Sequence, residues 1–220
     1  MSVPSDPVSG SDALPVLDPA EIRVLGSLIE KQITTPDYYP LTLNALTNAC
    51  NQLTNREPVV SYSDDIVSEA LDSLREKRLA RPAAASGRVE KYEHSILEVF
   101  NLGRRELALL CALMLRGPQT VGELRDRAGR MRPFSDLAEV ESCLETLMGW
   151  EPRPLAVRLA RQPGAKEPRY AHLLAGDPVV DAREPAPRQT GLEEQVAALR
   201  EELRELREEF TRFRKQFDGP

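Results

Sequence analysis

Ile22, Leu25, Leu28 and Ile29 fall three and four residues apart, the spacing of one face of a helix, and Leu107, Leu110 and Leu113 repeat that stripe 85 residues later. Leu43, Leu46 and Cys50 find counterparts in Val121, Leu124 and Ala128. Next come SDDIVSEALDSL (63–74) and SDLAEVESCLETL (135–147), in which Val67, Leu71 and Leu74 match Val140, Leu144 and Leu147. Both segments open with Ser-Asp; each serine suits a helix cap, and acidic groups favour the first turn. KYEH (91–94) and RYAH (169–172) then supply strand-like residues. Arg81 to Glu90 predicts a hairpin around Ser86-Gly87, and Val157 to Tyr170 predicts another around Pro163-Gly164. The unit is three helices and a β-hairpin, present twice. Its second and third helices form a helix-turn-helix-like pair, with the hairpin as a wing. The predicted fold class is α+β, mainly α: two tandem winged-helix domains, 18–100 and 101–175.

The flanks show other patterns. Residues 1–17 are rich in Ser, Pro, Asp and Gly and predict a disordered arm. Asp18-Pro19-Ala20-Glu21 then predicts a helix cap with proline in the first turn. Residues 176–190 read as a Pro-rich linker. From Leu192 the apolar positions are Val196, Leu199, Leu203, Leu206, Phe210, Phe213 and Phe217, alternating steps of four and three. That is a heptad seam over 191–218 with charged residues elsewhere, and Thr190 with Glu193 fits a capping box. Such a helix gains most from a partner along its seam. Homodimerisation through a coiled coil is the first expectation, and docking onto the chain's own body the second.

Composition narrows the class. Aromatics make up 5% and charged residues 29% of 220 residues, which suits long helices over a modest core. The longest apolar run, Leu107 to Leu115, is too short for a bilayer and suits a buried helix. Residues 1–17 lack the basic and apolar segments of a secretory signal. Cys50, Cys111 and Cys143 are odd in number and each occupies an apolar helical position, so free core thiols in a reducing cytoplasm are expected. The net charge is −6, yet residues 101–175 hold 12 basic against 9 acidic groups, the one basic block of the chain.

One stretch stands apart. NALTNACNQLTNREP places Asn44, Asn48, Asn51 and Asn55 at steps of four, three and four, one stripe of a helix, with Leu43, Leu46, Cys50 and Leu53 opposite. Amides in this row suit adenine edges or an extended peptide backbone. They equally suit an internal network that bonds the irregular NREPVVSY connection and holds Arg56. The second repeat lacks the stripe.

LIEKQITTPDYYPLTLNALTNACNQLTNREPVV (28–60) resembles the opening of the YceH-like family of bacterial proteins, and LRGPQTVGELRDRAGRM (115–131) and FSDLAEVESCLETL (134–147) resemble its second half. The likeness covers residues 17 to about 174. It implies a pair of winged-helix domains in a bacterial cytoplasmic protein, and it supplies no catalytic or binding residues to carry over.

Chemistry is sparse. His94 and His172 hold equivalent places at the ends of the two hairpins, so packing of the wings accounts for them. No CxxC, HExxH, P-loop or dinucleotide fingerprint occurs, and Gly26-Ser27-Leu28 sits inside a helix, so no enzyme, metal or cofactor is expected. The third helices carry Asp64, Asp65, Glu69 and Asp72, and Asp136, Glu139, Glu141 and Glu145. These would repel phosphates at close range. Basic residues lie elsewhere: Arg125, Arg127, Arg130 and Arg132 on and after the second helix of the second repeat; Arg158, Arg161, Lys166 and Arg169 in its wing; Arg81, Arg88 and Lys91 in the first wing. Two functions are carried forward. One is a regulator that contacts double-stranded DNA through wings and second-repeat arginines. The other is a protein–protein adaptor whose acidic helices bind basic partners.

Overall fold

Asp18 accepts the N–H of Glu21 at 2.8 Å while the Glu21 carboxylate accepts the N–H of Asp18 at 2.7 Å, a capping box that starts α1 (Pro19–Thr34). A computed structural model of the chain describes residues 15–84, 89–161 and 164–177. Among them the protein is mainly helical α+β, with seven α-helices and two small antiparallel sheets. Every residue of α1 from Glu21 to Glu30 is buried, because α2 (Leu43–Cys50) and α3 (Asp64–Glu76) cover one side and α5 (Arg104–Arg116) the other. In α5 the apolar run Leu107 to Leu115 is buried throughout, as its composition predicts.

The two central helices meet at Gly26. A Cβ there would lie 2.9 Å from Leu115 Cδ2 and 3.4 Å from Met114 Cβ, so glycine permits the approach. The Cys111 thiol reaches the Gly26 carbonyl at 3.3 Å. One hydrophobic core therefore runs through both sets of elements, from Leu17 to Leu174. Trp150 adds a second tie: its indole N–H donates to the Phe100 carbonyl at 2.8 Å and its ring meets Phe100 edge-on. Phe100 ends α4 (Ile96–Phe100), a short helix the apolar pattern does not announce.

After α1 come β1 (Leu41–Thr42), α2, α3, β2 (Ala80–Pro82) and β3 (Lys91–His94), with sheet order β1-β3-β2. Leu41 pairs with Tyr92 and Arg81 with Glu93. After α5 come α6 (Val121–Gly129), α7 (Leu137–Met148), β4 (Ala156–Arg158) and β5 (Tyr170–His172). Gln119 bridges to Tyr170 just before α6, where Leu41 pairs with Tyr92 just before α2. The expected strand pairs around both turns are present; residues 85–88 and 162–163 at their tips lie outside the described residues.

Three local expectations are corrected. Leu17, assigned to the arm, is 2% exposed, and its N–H donates to the Leu174 carbonyl at 2.8 Å. Ser63 caps α3 as expected, but α7 is capped by Asp136, which accepts the Glu139 N–H, while the Glu139 carboxylate accepts from the Ser135 N–H. Leu53, placed on the apolar face of α2, is 81% exposed, because the helix ends at Cys50. The linker 178–190 and the heptad positions Leu192, Val196, Leu199, Leu203, Leu206, Phe210, Phe213 and Phe217 lie outside the described residues.

Candidate nucleic-acid interface

Thr120 and Glu123 close a capping box that starts α6, which fixes the Glu123 carboxylate at the helix entrance. That carboxylate gathers two of the candidate arginines: Arg127 lies 3.5 Å away one turn on, and Arg169, next to β5, lies 3.1 Å away. Arg169 also donates to the Pro118 carbonyl, so it fastens the second hairpin to α6. Arg130, exposed, approaches Glu30 of α1 at 4.0 Å. The Nε of Arg132 is buried without a partner among the described residues. Arg125, Arg158, Arg161 and Lys166 are exposed and join no ion pair among the described residues.

The first repeat differs. Arg81 is held between Glu93 at 2.7 Å and Glu98 at 2.6 Å, Lys91 is half-buried in β3, and Arg88 lies outside the described residues. The outward face of α3 carries Asp65, Glu69, Asp72 and Glu76, and that of α7 carries Glu141 and Glu145. A shallow cavity beside the first hairpin is lined by Asp72, Arg75, Glu76 and Arg81.

The asparagines do not act as one stripe. Asn44 and Asn48 are exposed and bond each other at 3.2 Å. Asn51 caps the end of α2, donating to the Tyr62 carbonyl and accepting its N–H, both at 2.8 Å, which ties the connection back onto the helix. Asn55 lies past the helix with φ 61°, in the left-handed region that asparagine tolerates, and its Oδ1 accepts from Arg116 of α5 at 3.1 Å. Of the four, only Asn51 bonds the connection's backbone as the internal network requires.

Two buried guanidiniums complete that network. Arg56, with no exposed side-chain surface, donates to Glu30 at 2.7 Å and to the Ala49 carbonyl, and Arg23 donates to the carbonyls of Cys50 and Pro58. They satisfy carbonyls at the end of α2, where positive charge is favoured. Burial, and then the like charge of Arg56, pushes Arg23 below the usual guanidinium range. The residue pattern points to Arg56 but not to Arg23 and Glu30. Their signal is a charged pair seven residues apart, two helical turns, among the apolar positions Ile22, Leu25, Leu28 and Ile29 of α1. Arg116 was missed too, standing at the end of the apolar run.

Cys50, Cys111 and Cys143 are free and buried, as expected. Burial pushes the Cys111 thiol up, and burial with nearby Glu106 pushes Cys143 up to about 11. His94 bonds Gln32 at 2.7 Å, and burial lowers His94 and His172 to about 4 each. Among the described residues no group of three or more His, Cys, Asp or Glu side chains is placed to hold a metal, and no helix is long and apolar enough to cross a membrane.

Comparison with known proteins places the chain in a family. A family model described as "Protein of unknown function, DUF480" matches residues 17–165. A UPF0502 protein of Opitutus terrae is 54% identical over 199 residues, covering 87% of this chain and 86% of that protein. One of Pelobacter propionicus is 55% identical, covering 84% and 90%, and one of Geobacter metallireducens is 57% identical, covering 83% of each. The matched region spans both repeats, and the chain belongs to the DUF480, or UPF0502, family of bacterial proteins, consistent with its YceH-like motifs.

Proposed function

We propose that this protein is a non-enzymatic tandem winged-helix regulator that associates with double-stranded DNA through the sugar–phosphate backbone, led by its second repeat. Each repeat orders helix, strand or bridge, two helices and a hairpin, the order a winged helix requires. The observation that carries the reading is the exposure of Arg125, Arg158, Arg161 and Lys166, which join no ion pair among the described residues, on α6 and the second hairpin. Such groups position a protein on phosphates without reading bases. The acidic faces of α3 and α7 oppose entry into the major groove, so contact runs through the hairpin and α6 instead. In this reading the protein works in the cytoplasm, and the heptads of 191–218 pair two copies and double the basic surface.

Fluorescence anisotropy of the full chain with mixed-sequence duplex DNA, titrated between about 50 and 200 mM salt, tests it. Binding falls steeply with salt, and Arg125→Gln, Arg158→Gln and Arg161→Gln together cut the log–log slope by about 2 to 3. A flat salt response, or no binding at low salt, ends this reading. A second reading rests on the outward row Asp65, Glu69, Asp72 and Glu76 of α3: an adaptor surface for a basic protein segment. It predicts that a Lys-rich peptide binds the chain and that Glu69→Gln with Glu76→Gln abolishes this.

A further inference from the structure

The second hairpin ends on an open strand edge, and the first does not. The Leu173 N–H donates to the Leu155 carbonyl and the Leu159 N–H to the Arg169 carbonyl, both at 2.8 Å. Antiparallel pairing alternates, so Leu155, Val157 and Leu159 turn their backbone groups toward β5, while Ala156, Arg158 and Ala160 turn theirs away. On the far side of β5, Tyr170 bridges to Gln119; among the described residues no strand pairs with the outer side of β4. Ala156 is buried, but Arg158, Ala160 and Arg161 are exposed. In the first hairpin the outermost strand is β2, and there Pro82 stands opposite Tyr92, as Arg158 stands opposite Tyr170. Proline has no N–H to offer and closes an edge to a further strand. One position thus carries a closed edge in the first repeat and an open one in the second.

Charge decides what the open edge accepts. From Ala156 to Tyr170 the chain holds Arg158, Arg161, Lys166 and Arg169 against Glu167 alone. Arg158, Arg161 and Lys166 join no ion pair among the described residues. A second copy of the same edge would bring like charges to the seam, which is destabilising. A strand with carboxylates at alternate positions brings opposite ones. We propose that the outer edge of β4 is a docking site for an extended acidic segment of another protein, which adds to the second hairpin as a further strand. Backbone groups of Arg158 and Ala160 hold the segment, and the guanidiniums of Arg158 and Arg161 select its carboxylates. The site does not rest on the DNA reading; where the chain binds both, the segment and the duplex compete for Arg158 and Arg161.

The test is anisotropy of the full chain with a fluorescent synthetic peptide, TEVEVET, and with TEPEPET, which has the same charge and cannot pair as a strand. TEVEVET binds, TEPEPET binds about tenfold more weakly, and TEVEVET slows hydrogen exchange of the Arg158 amide, followed by NMR. Arg158→Gln removes the charge and keeps the N–H, and it weakens TEVEVET about two- to fivefold. Arg158→Pro removes both, gives up no bond to β5, and falls about tenfold below Arg158→Gln. Equal binding of the two peptides, or equal losses in Arg158→Gln and Arg158→Pro, would overturn strand addition by reducing it to charge. No binding of TEVEVET, or binding with unchanged exchange at Arg158, would overturn it too, whatever the chain does with DNA. Protection of that amide by duplex DNA and not by TEVEVET would overturn it in favour of the nucleic acid. Protection that rises with the concentration of the chain alone would assign the edge to a second copy instead.

Discussion

In the first repeat, residues 51–63 join α2 to α3, and Arg23, Arg56 and Asn51 turn inward to bond the helix end and the connection. In the second, residues 130–136 do the same work over a shorter span, and Arg125, Arg158 and Arg161 stay in solvent. The longer connection explains the difference. It has no ladder partners of its own, so its backbone must be satisfied by side chains, and arginine and asparagine supply donors in the needed number. The shorter one makes no such demand on Arg125, Arg158 and Arg161, which stay exposed. Two copies of one element order thus devote similar residues to structure in one case and to the surface in the other. Counting arginines along the chain does not tell these uses apart.

The sharpest way to break that contrast is Arg56→Ala. It leaves Glu30 buried without its closest cation and frees the Ala49 carbonyl, and the expected loss is about 3–5 kcal/mol by urea unfolding. The same change at Arg158 should cost under about 0.5 kcal/mol, as for an ordinary surface position. Equal losses at the two sites would abolish the inward–outward distinction.

Acid tests where the repeats agree. Burial favours neutral imidazole in both, so the folded chain binds each proton only near pH 4 while the unfolded chain binds it near 6.5. The stabilisation is fully present above pH 6.5 and falls as pH drops toward 4, by up to about 3 kcal/mol for each histidine. Unfolding curves at about pH 7, above that window, and at about pH 4.5, near its lower end, should show a shallower pH dependence for His94→Gln and for His172→Gln than for wild type. A change in only one variant would show that the two hairpins are anchored differently.

The smallest effects sharpen the reading of the asparagines. Asn51→Ala removes two hydrogen bonds to Tyr62 and should cost about 1–3 kcal/mol. Asn48→Ala removes an exposed pair and should change stability by little, within about 0.5 kcal/mol, as read from the melting temperature. A large loss at Asn48 would restore the single-stripe view.

The repeat, the central position of Leu107 to Leu115 and the cap at Asp18 were legible because they depend on residues within one or two turns of each other. The end of α2 was not. Its apolar spacing runs on to Leu53, and what stops the helix comes from Arg23, 27 residues earlier in sequence, and from Tyr62, 11 residues after Asn51. Arg116 was hidden for the same reason, since its partner Asn55 is 61 positions away. Periodicity reports which side of a helix is covered. It carries no record of which distant polar group will satisfy a backbone carbonyl.

The hydrogen bond from Leu17 to Leu174 joins the first and last stretches of the described residues, both side chains buried beside it. Mechanically, it is a clasp, with the Lys77 ammonium on the Val16 carbonyl at 3.1 Å as a second tie beside it. Opposed forces applied at Leu17 and Leu174 load this clasp directly.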